Sequence, residues 1–143
     1  MGETKKEAKN SVATEAGQSI SGRILVAEDN EAVQSVVSRI LHFMGFEVAL
    51  ACNGVEALSL FIKSSFDLVL TDLEMPMMDG WGLTRCIKER SPGTPVVLMT
   101  GADRATVLRE VERGPVDSVL FKPFRVEDLQ TTVRGALAFR EGE

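Results

Sequence analysis

The chain has 143 residues, with 16 Lys and Arg against 21 Asp and Glu, so its formal net charge is −5. This acidic balance disfavours direct nucleic-acid binding, because proteins that bind nucleic acid generally present a basic surface. A hydrophobic content of 44% supports one folded core and excludes a disordered or fibrous chain. No apolar run reaches the roughly 18 residues of a membrane span. The N-terminal residues lack the apolar segment of a signal peptide, and Cys52 and Cys86 form no CxxC motif, so we expect a cytoplasmic protein with free thiols.

The first 22 residues differ in composition from the rest of the chain. Residues 1–22 contain no Leu, Phe or Trp, and three lysines balance three glutamates there. We therefore expect a flexible leader or linker in this segment. One folded domain is expected over residues 23–140, followed by a short tail at 141–143.

After the leader, short apolar runs alternate with longer segments of helical period. Strands this apolar are typical of a parallel sheet that is covered by helices on both faces. The pattern predicts the α/β class, with a strand–helix unit repeated five times. The predicted strands are residues 24–27, 48–51, 68–71, 96–99 and 119–121.

The segments between the runs predict amphipathic helices. In the first, the apolar stripe stops at Gly45, a residue suited to a helix end. The third helix is expected over 81–90, before Pro92, and the fourth over 104–113, before Gly114. The predicted apolar faces of the first, second and last helices are Val33, Val36, Val37, Ile40, Leu41 and Met44; Val55, Leu58, Phe61 and Ile62; and Val126, Leu129, Val133 and Leu137.

Polar residues follow several of the predicted strands. In an open parallel sheet the carboxyl ends of the strands share one edge, where ligands bind. Singly, these residues have ordinary explanations as a helix cap, a turn, a strand end or a solvated lysine. Clustered carboxylates, however, repel one another unless a cation compensates, and Mg²⁺ prefers such oxygen ligands. The sequence therefore predicts a metal-dependent phosphoryl site formed by Glu28, Asp29, Asn30, Asp72, Thr100 and Lys122.

Four motifs carry a family resemblance, and in chain order they read RILVAEDN, LVLTDLEMPMMDGW, VVLMTG and VLFKPF. With these motifs, about residues 23–139 resemble the receiver domain of two-component response regulators. The resemblance implies a flavodoxin-like, doubly wound (βα)5 fold with strand order 2-1-3-4-5. It also implies a phosphoacceptor in two-component or phosphorelay signalling, rather than an enzyme. Such a receiver either stands alone or belongs to a hybrid histidine kinase.

The resemblance assigns roles to the acidic residues. Asp72 matches the phosphoacceptor, which would take a phosphoryl group from a phosphohistidine of a histidine kinase or a histidine phosphotransfer protein. Asp29, Asp72 and the backbone carbonyl of Glu74 match the ligands of Mg²⁺ or Mn²⁺, and Glu28 would act through water. Phosphorylation is then expected to alter a surface that binds a downstream partner.

The resemblance also identifies two phosphoryl contacts and one departure from the family pattern. Thr100 and Lys122 match the residues that contact the phosphoryl oxygens. Typical receivers carry an aromatic residue three positions before this lysine, where the present chain has Val119. The usual coupling between the threonine and a mobile ring is therefore not expected. The Lys122–Pro123 bond is a candidate for a cis peptide.

Two other functions remain open. A degenerate receiver would act only as a binding module, although such domains typically lack one or more of the site residues. An aspartate-nucleophile phosphatase of related design would carry D-x-D-x-T after the first strand, whereas Asp72 follows the third and begins D-L-E. Neither GxGxxG nor GxxxxGKS/T follows the first strand, which disfavours nucleotide binding. We expect a monomer or weak dimer that contacts neither nucleic acid nor a membrane.

Overall fold

A computed structural model describes the backbone of residues 22–142 and the side chains of residues 22–138. The leader expected over residues 1–22 lies outside the described residues, except for Gly22. The strands are β1 (Arg23–Ala27), β2 (Glu47–Ala51), β3 (Leu68–Asp72), β4 (Val96–Thr100) and β5 (Ser118–Phe121). The helices are α1 (Glu31–Phe43), α2 (Gly54–Lys63), α3 (Gly80–Arg90), α4 (Arg104–Arg109) and α5 (Val126–Gly142), with a 3₁₀ turn at Val111–Arg113.

The strands form one parallel sheet in the order β2-β1-β3-β4-β5. This confirms the α/β class that the sequence pattern predicts and the strand order that the family resemblance implies. β3 and β4 are buried along their whole length, whereas the edge strand β2 is partly exposed. The strand order switches direction between β1 and β3, so the carboxyl ends of these two strands border the crevice where ligands bind in such sheets.

Helices cover both faces of the sheet, because successive strand residues point to opposite sides. On one face, α1 and α5 pack over residues such as Ile24 and Val26. On the other face, α2 and α3 pack over Leu25 and Ala27, and Trp81 joins a further cluster near α4. Among the described residues, no helix is both long and apolar enough to span a bilayer.

Four helices begin with the same kind of side-chain N-cap. An Asn or Asp side chain precedes each of α1 to α4 and accepts the N–H of the residue three positions later, which satisfies one of the free donors of the first turn. The caps are Asn30, Asn53, Asp79 and Asp103. Each of these caps ends a loop that leaves the carboxyl end of a strand, so capping fixes where the loop ends and the helix begins.

The apolar face predicted for the second helix is partly wrong. Val55 and Ile62 are exposed, and the buried residues of α2 are Gly54 and Ala57. The first residue of α2 packs closely against the backbone of Met78. A Cβ added to Gly54 would lie 2.2 Å from the carbonyl oxygen of Met78. Small residues are needed at this contact, so the larger side chains turn outward.

Three further details differ from the sequence expectation. The helix expected over 104–113 ends at Arg109, because the N–H of Glu110 bonds to both Thr106 and Val107 and the chain then tightens into the 3₁₀ turn. Val36 is 54% exposed although it was expected on the buried stripe, and it lines a shallow apolar groove beside Phe124. α5 continues through Gly142 and so includes part of the segment expected as a tail.

Candidate functional site

The carboxyl edge of the sheet gathers most of the polar residues singled out in the sequence. Glu28 and Asp29 follow β1, and Asp72 is the last residue of β3. One carboxylate oxygen from each of these three residues lies within 4.8 Å of the others. Glu28 and Asp72 are buried, whereas Asp29 is exposed at the mouth of the crevice. The arrangement is an acidic pocket that opens to solvent on the side of Asp29.

Lys122 supplies the positive charge that faces this pocket. Its Nζ lies 3.1 Å from Glu28 Oε1 and 3.3 Å from Asp72 Oδ1. Burial opposes its charge, but the hydrogen bonds and charges of Glu28 and Asp72 outweigh burial, so the pKa of Lys122 is raised. The ammonium therefore stays protonated and compensates part of the negative charge.

Glu28 is the most deeply buried carboxylate of the site, with 1% of the residue exposed. Its Oε2 accepts the backbone N–H of Asn30 at 3.1 Å. Burial raises the pKa of Glu28, the Asn30 N–H and Lys122 lower it, and the charge of Asp72 raises it, with a net upward shift. A negative charge at this position is thus unfavourable even beside Lys122, and a further cation would stabilise it.

Asp72 is held by its own loop. Its Oδ1 accepts the N–H of Leu73 at 2.9 Å as well as the Lys122 ammonium. The carbonyl of Leu73 in turn accepts the N–H of Gly80 at 2.7 Å, which joins the start of α3 to the end of β3. Glu74 is exposed in the same loop, two residues after Asp72. These bonds fix the carboxylate at the edge of the sheet and leave Oδ2 free of hydrogen bonds from the described residues.

Thr100 ends β4 and is 2% exposed. Its hydroxyl oxygen accepts the N–H of Ala102 at 2.9 Å, and its carbonyl accepts the N–H of Lys122 at 2.7 Å. Lys122 and Pro123 are joined by a cis peptide bond, as predicted. The bond between Thr100 and Lys122 brings the ends of β4 and β5 to the same side of Asp72.

Val119 is partly buried and packs against an apolar cluster, as do Ala102 and Phe121. As a valine, it has no ring that could move between a buried and an exposed position. An aromatic ring is nevertheless present two residues later. The guanidinium carbon of Arg104, the first residue of α4, lies 4.2 Å from the centroid of the Phe121 ring. This cation–π contact was not foreseen, because no sequence spacing relates a residue of α4 to one of β5.

The donor set suits a hard divalent cation. The three candidate side-chain ligands are carboxylates, and the Lys122 ammonium contacts two of them. The buried Glu28, whose pKa is raised, is stabilised in its charged form by any further positive charge. Oxygen ligands with partial exposure are what Mg²⁺ and Mn²⁺ take in proteins, where the ion keeps several waters. The residues present therefore fit such an ion.

A doubly wound sheet of this order, with an acidic pocket at its switch point and a lysine beside it, defines a receiver-type signalling domain. Residues 24–134 match the family described as response regulator receiver domain, and the chain belongs to that family. Receiver domains are signalling domains that interact with histidine kinases and with effector domains, and they bind Mg²⁺ at an acidic pocket.

Similar proteins include regulators and separate receiver domains. The chain is 35% identical over 115 residues to response regulator MprA of Mycobacterium sp. (strain KMS), covering 80% of this chain and 50% of MprA. It therefore spans about half the length of that relative. The chemotaxis protein CheY4 of Vibrio cholerae has a TM-score of 0.77 and 28% identity, covering 82% of this chain and 100% of CheY4. The receiver domain of a histidine kinase from Syntrophus aciditrophicus has a TM-score of 0.75 and 31% identity, covering 82% and 91% of the two chains.

Proposed function

We propose that Asp72 accepts a phosphoryl group from a phosphohistidine donor and that the resulting aspartyl phosphate alters a partner-binding surface. The observation that carries this proposal is the state of the Asp72 carboxylate. Oδ1 is held by Leu73 and Lys122, while Oδ2 has no hydrogen bond from the described residues. The donor is a histidine kinase or a histidine phosphotransfer protein, in keeping with the family.

In the transfer step, Oδ2 of Asp72 attacks phosphorus. A P–O bond forms as the P–N bond of phosphohistidine breaks, and the electron pair of the broken bond stays with the imidazole. Lys122 lies within hydrogen-bond reach of the acceptor carboxylate and pairs with a phosphoryl oxygen. The Thr100 hydroxyl donates to another phosphoryl oxygen.

Asp29, Asp72 and the backbone carbonyl of Glu74 would hold Mg²⁺ or Mn²⁺, with Glu28 acting through water. A bound ion would neutralise negative charge and so reduce the repulsion between the Asp72 carboxylate and the phosphoryl group. Glu28 contributes from its buried position by holding Lys122 in place through the 3.1 Å contact. Its hydrogen bond from Asn30 also fixes the loop that carries Asp29.

Two alternative functions predict different chemistry at the same site. A binding-only receiver would keep the fold without forming an acyl phosphate. A phosphatase would release inorganic phosphate from a phosphate ester, with Asp72 as the nucleophile. The acceptor function is favoured over a binding-only receiver because Glu28, Asp72 and Lys122 are present and in direct contact at the switch point. It is favoured over a phosphatase because Asp72 ends the third strand and begins D-L-E rather than D-x-D-x-T.

The test is intact-mass analysis after incubation with acetyl phosphate, with and without Mg²⁺. We expect one phosphoryl group on the wild type, only when Mg²⁺ is present, and none on Asp72→Asn. A matched control is Asp103→Asn, because Asp103 caps α4 through Thr106 and asparagine caps a helix equally well.

Each alternative has its own outcome in this experiment. Equal labelling of Asp72→Asn and wild type would move the acceptor elsewhere. Without labelling, a Mg²⁺-dependent change of Trp81 fluorescence would indicate a site that binds the ion and loses its phosphoryl group quickly, whereas no fluorescence change would favour a binding module. Steady release of phosphate from a phosphate monoester would favour the phosphatase.

A further inference from the structure

A glutamine on α1 reaches back to the loops at the carboxyl edge of the sheet. The Gln34 side-chain Nε2 donates to the carbonyl oxygen of Glu28 at 2.6 Å and lies 3.4 Å from that of Ala51. Glu28 follows β1 and Ala51 ends β2, and the N–H of Glu28 donates to the same Ala51 carbonyl at 2.9 Å. One side chain therefore ties together the ends of two neighbouring strands.

The same residue also holds the other end of the acidic turn. The backbone N–H of Gln34 donates to the carbonyl of Asn30 at 3.0 Å. The three residues 28–30 are thus bonded to Gln34 at both ends, by its side chain at Glu28 and by its backbone at Asn30. Asp29 lies between these two bonds and is itself exposed. Its carboxylate faces Asp72 only while this turn keeps its shape.

Gln34 is not an ordinary solvated residue of a helix surface. It is half-buried, and both acceptors of its side chain are carbonyls of strand ends rather than groups of its own helix. Without the side-chain donor, the carbonyl of Glu28 would have to find another partner, because an unpaired and partly buried carbonyl is unfavourable. The turn would then rearrange or admit water, and Asp29 would lose its fixed position.

We propose that Gln34 is a positioning residue for the metal site, acting through the turn of residues 28–30 to hold Asp29 opposite Asp72. The inference rests on the proposed function for the identity of the ion, Mg²⁺ or Mn²⁺. Groups that orient metal ligands through hydrogen bonds are known to affect affinity strongly, because the ligands must otherwise be ordered when the ion binds. Gln34 itself touches neither the ion nor the phosphoryl group.

The test is a Mg²⁺ titration of ¹⁵N-labelled protein followed by amide chemical shifts. Leu73 is a direct reporter, because its N–H is bonded to Asp72 Oδ1 at 2.9 Å. Two variants remove the donor: Gln34→Met is neutral, and Gln34→Glu, studied at pH 8, adds a negative charge. We expect Mg²⁺ affinity to fall about tenfold in Gln34→Met and to fall in Gln34→Glu as well. If only the charge near the site mattered, Gln34→Glu would bind Mg²⁺ more tightly than the wild type.

A destabilised control separates positioning from general loss of stability. Ile87→Val removes a buried methyl group in α3, on the face of the sheet opposite α1, and we expect its Mg²⁺ affinity to stay within about twofold of the wild type. An affinity of Gln34→Met within twofold of the wild type, in a protein whose wild type binds Mg²⁺, would overturn the positioning role alone. A wild type without any Mg²⁺-dependent shift at Leu73 would instead contradict the proposed function.

Discussion

Lys122 and Glu28 form an ion pair in which the carboxylate is almost completely buried. Nζ lies 3.1 Å from Oε1, and the side chains of Lys122 and Glu28 are 24% and 1% exposed. The two residues are 94 positions apart in the chain, so the pair exists only when β1 and β5 are both in place. Lys122 also contacts Asp72, so its ammonium links Asp72 to the buried end of the acidic pocket.

Removal of this ammonium should destabilise the metal-free protein. Lys122→Met leaves the carboxylates without their cation, and we expect the free energy of unfolding to fall by about 1–3 kcal/mol, less than for a fully buried pair because Lys122 keeps some exposure. Mg²⁺ should recover part of this loss by replacing the missing positive charge. Urea unfolding with and without Mg²⁺ measures both effects. Lys63→Met, at an exposed position of α2, serves as the control, and equal losses in the two variants would contradict the expectation.

The raised pKa of Glu28 predicts a pH dependence of stability in the absence of metal. The folded protein binds this proton more tightly than the unfolded chain, so the stabilising contribution is complete below the ordinary pKa of glutamate and is lost as the pH rises through the raised pKa. Relative to Glu28→Gln, the wild type should therefore lose stability across the pH range above the ordinary pKa of glutamate, about 4.3. Urea unfolding across this range tests the sign.

Glu56 provides a control of opposite sign for the same experiment. The backbone N–H of Cys52, followed by its thiol, lowers the pKa of Glu56. Its contribution is present above the ordinary pKa of glutamate and is lost as the pH falls through the lowered value. Relative to Glu56→Gln, the wild type should thus lose stability on acidification. If the free energy of unfolding changed with pH in the same way in the wild type and in Glu28→Gln, the pKa of Glu28 would not be raised by folding.

Substitution of Asp29 should lower Mg²⁺ affinity strongly and change the free energy of unfolding little. It is exposed, and Asp29→Asn removes one negative charge from a crowded acidic pocket, so the metal-free free energy of unfolding should change by no more than about 0.5 kcal/mol. Mg²⁺ affinity should fall at least about tenfold, because a charged ligand is lost. Titration followed by the Leu73 amide measures this loss. Glu31→Gln, an exposed change at the start of α1, should weaken Mg²⁺ binding by less than about twofold because exposed charges are screened by salt.

The sequence predicts the sheet and its carboxyl edge well because both depend on local patterns. Apolar runs identify the strands, and residues directly after a run, such as Asp29, must lie at the edge of a parallel sheet. The strand order required the family resemblance, since runs of similar composition do not specify which strands are neighbours. Val119 was also visible in the sequence as a departure, whereas the stacking of Arg104 on Phe121 depends on how the first turn of α4 meets the end of β5.

Side-chain direction on the helices was less predictable. Periodicity placed Val55 on the buried face of α2, but the close contact between Gly54 and Met78 sets the actual rotation of that helix. Gln34 carries no distinctive signal, because a polar residue in a first helical turn is normally solvated. Only the position of the Glu28 carbonyl, 2.6 Å from its side chain, shows that this glutamine faces the strand ends.

Two glycine substitutions should have opposite effects on stability. A Cβ at Gly80 would lie 2.5 Å from the carbonyl oxygen of Asp72 and 2.8 Å from Leu98 Cδ1, so Gly80→Ala should lower the free energy of unfolding by about 1–3 kcal/mol through overpacking. Gly135 lies exposed in α5 with nothing within 4 Å of an added Cβ, and Gly135→Ala should raise it by about 0.5–1 kcal/mol through helix propensity. Urea midpoints measure both changes.

The glycine pair also tests whether the start of α3 fixes the position of Asp72. Because Gly80 contacts the backbone of Asp72 itself, Gly80→Ala must push the end of β3 away from the start of α3, and Asp72 moves with it. We therefore expect slower Mg²⁺-dependent labelling by acetyl phosphate in Gly80→Ala, measured by intact mass under conditions where the variant remains folded. Gly135→Ala should be labelled at the wild-type rate, since α5 lacks such a contact at this position. Wild-type labelling of a folded Gly80→Ala would mean that the site tolerates this displacement and that α3 does not fix the position of Asp72.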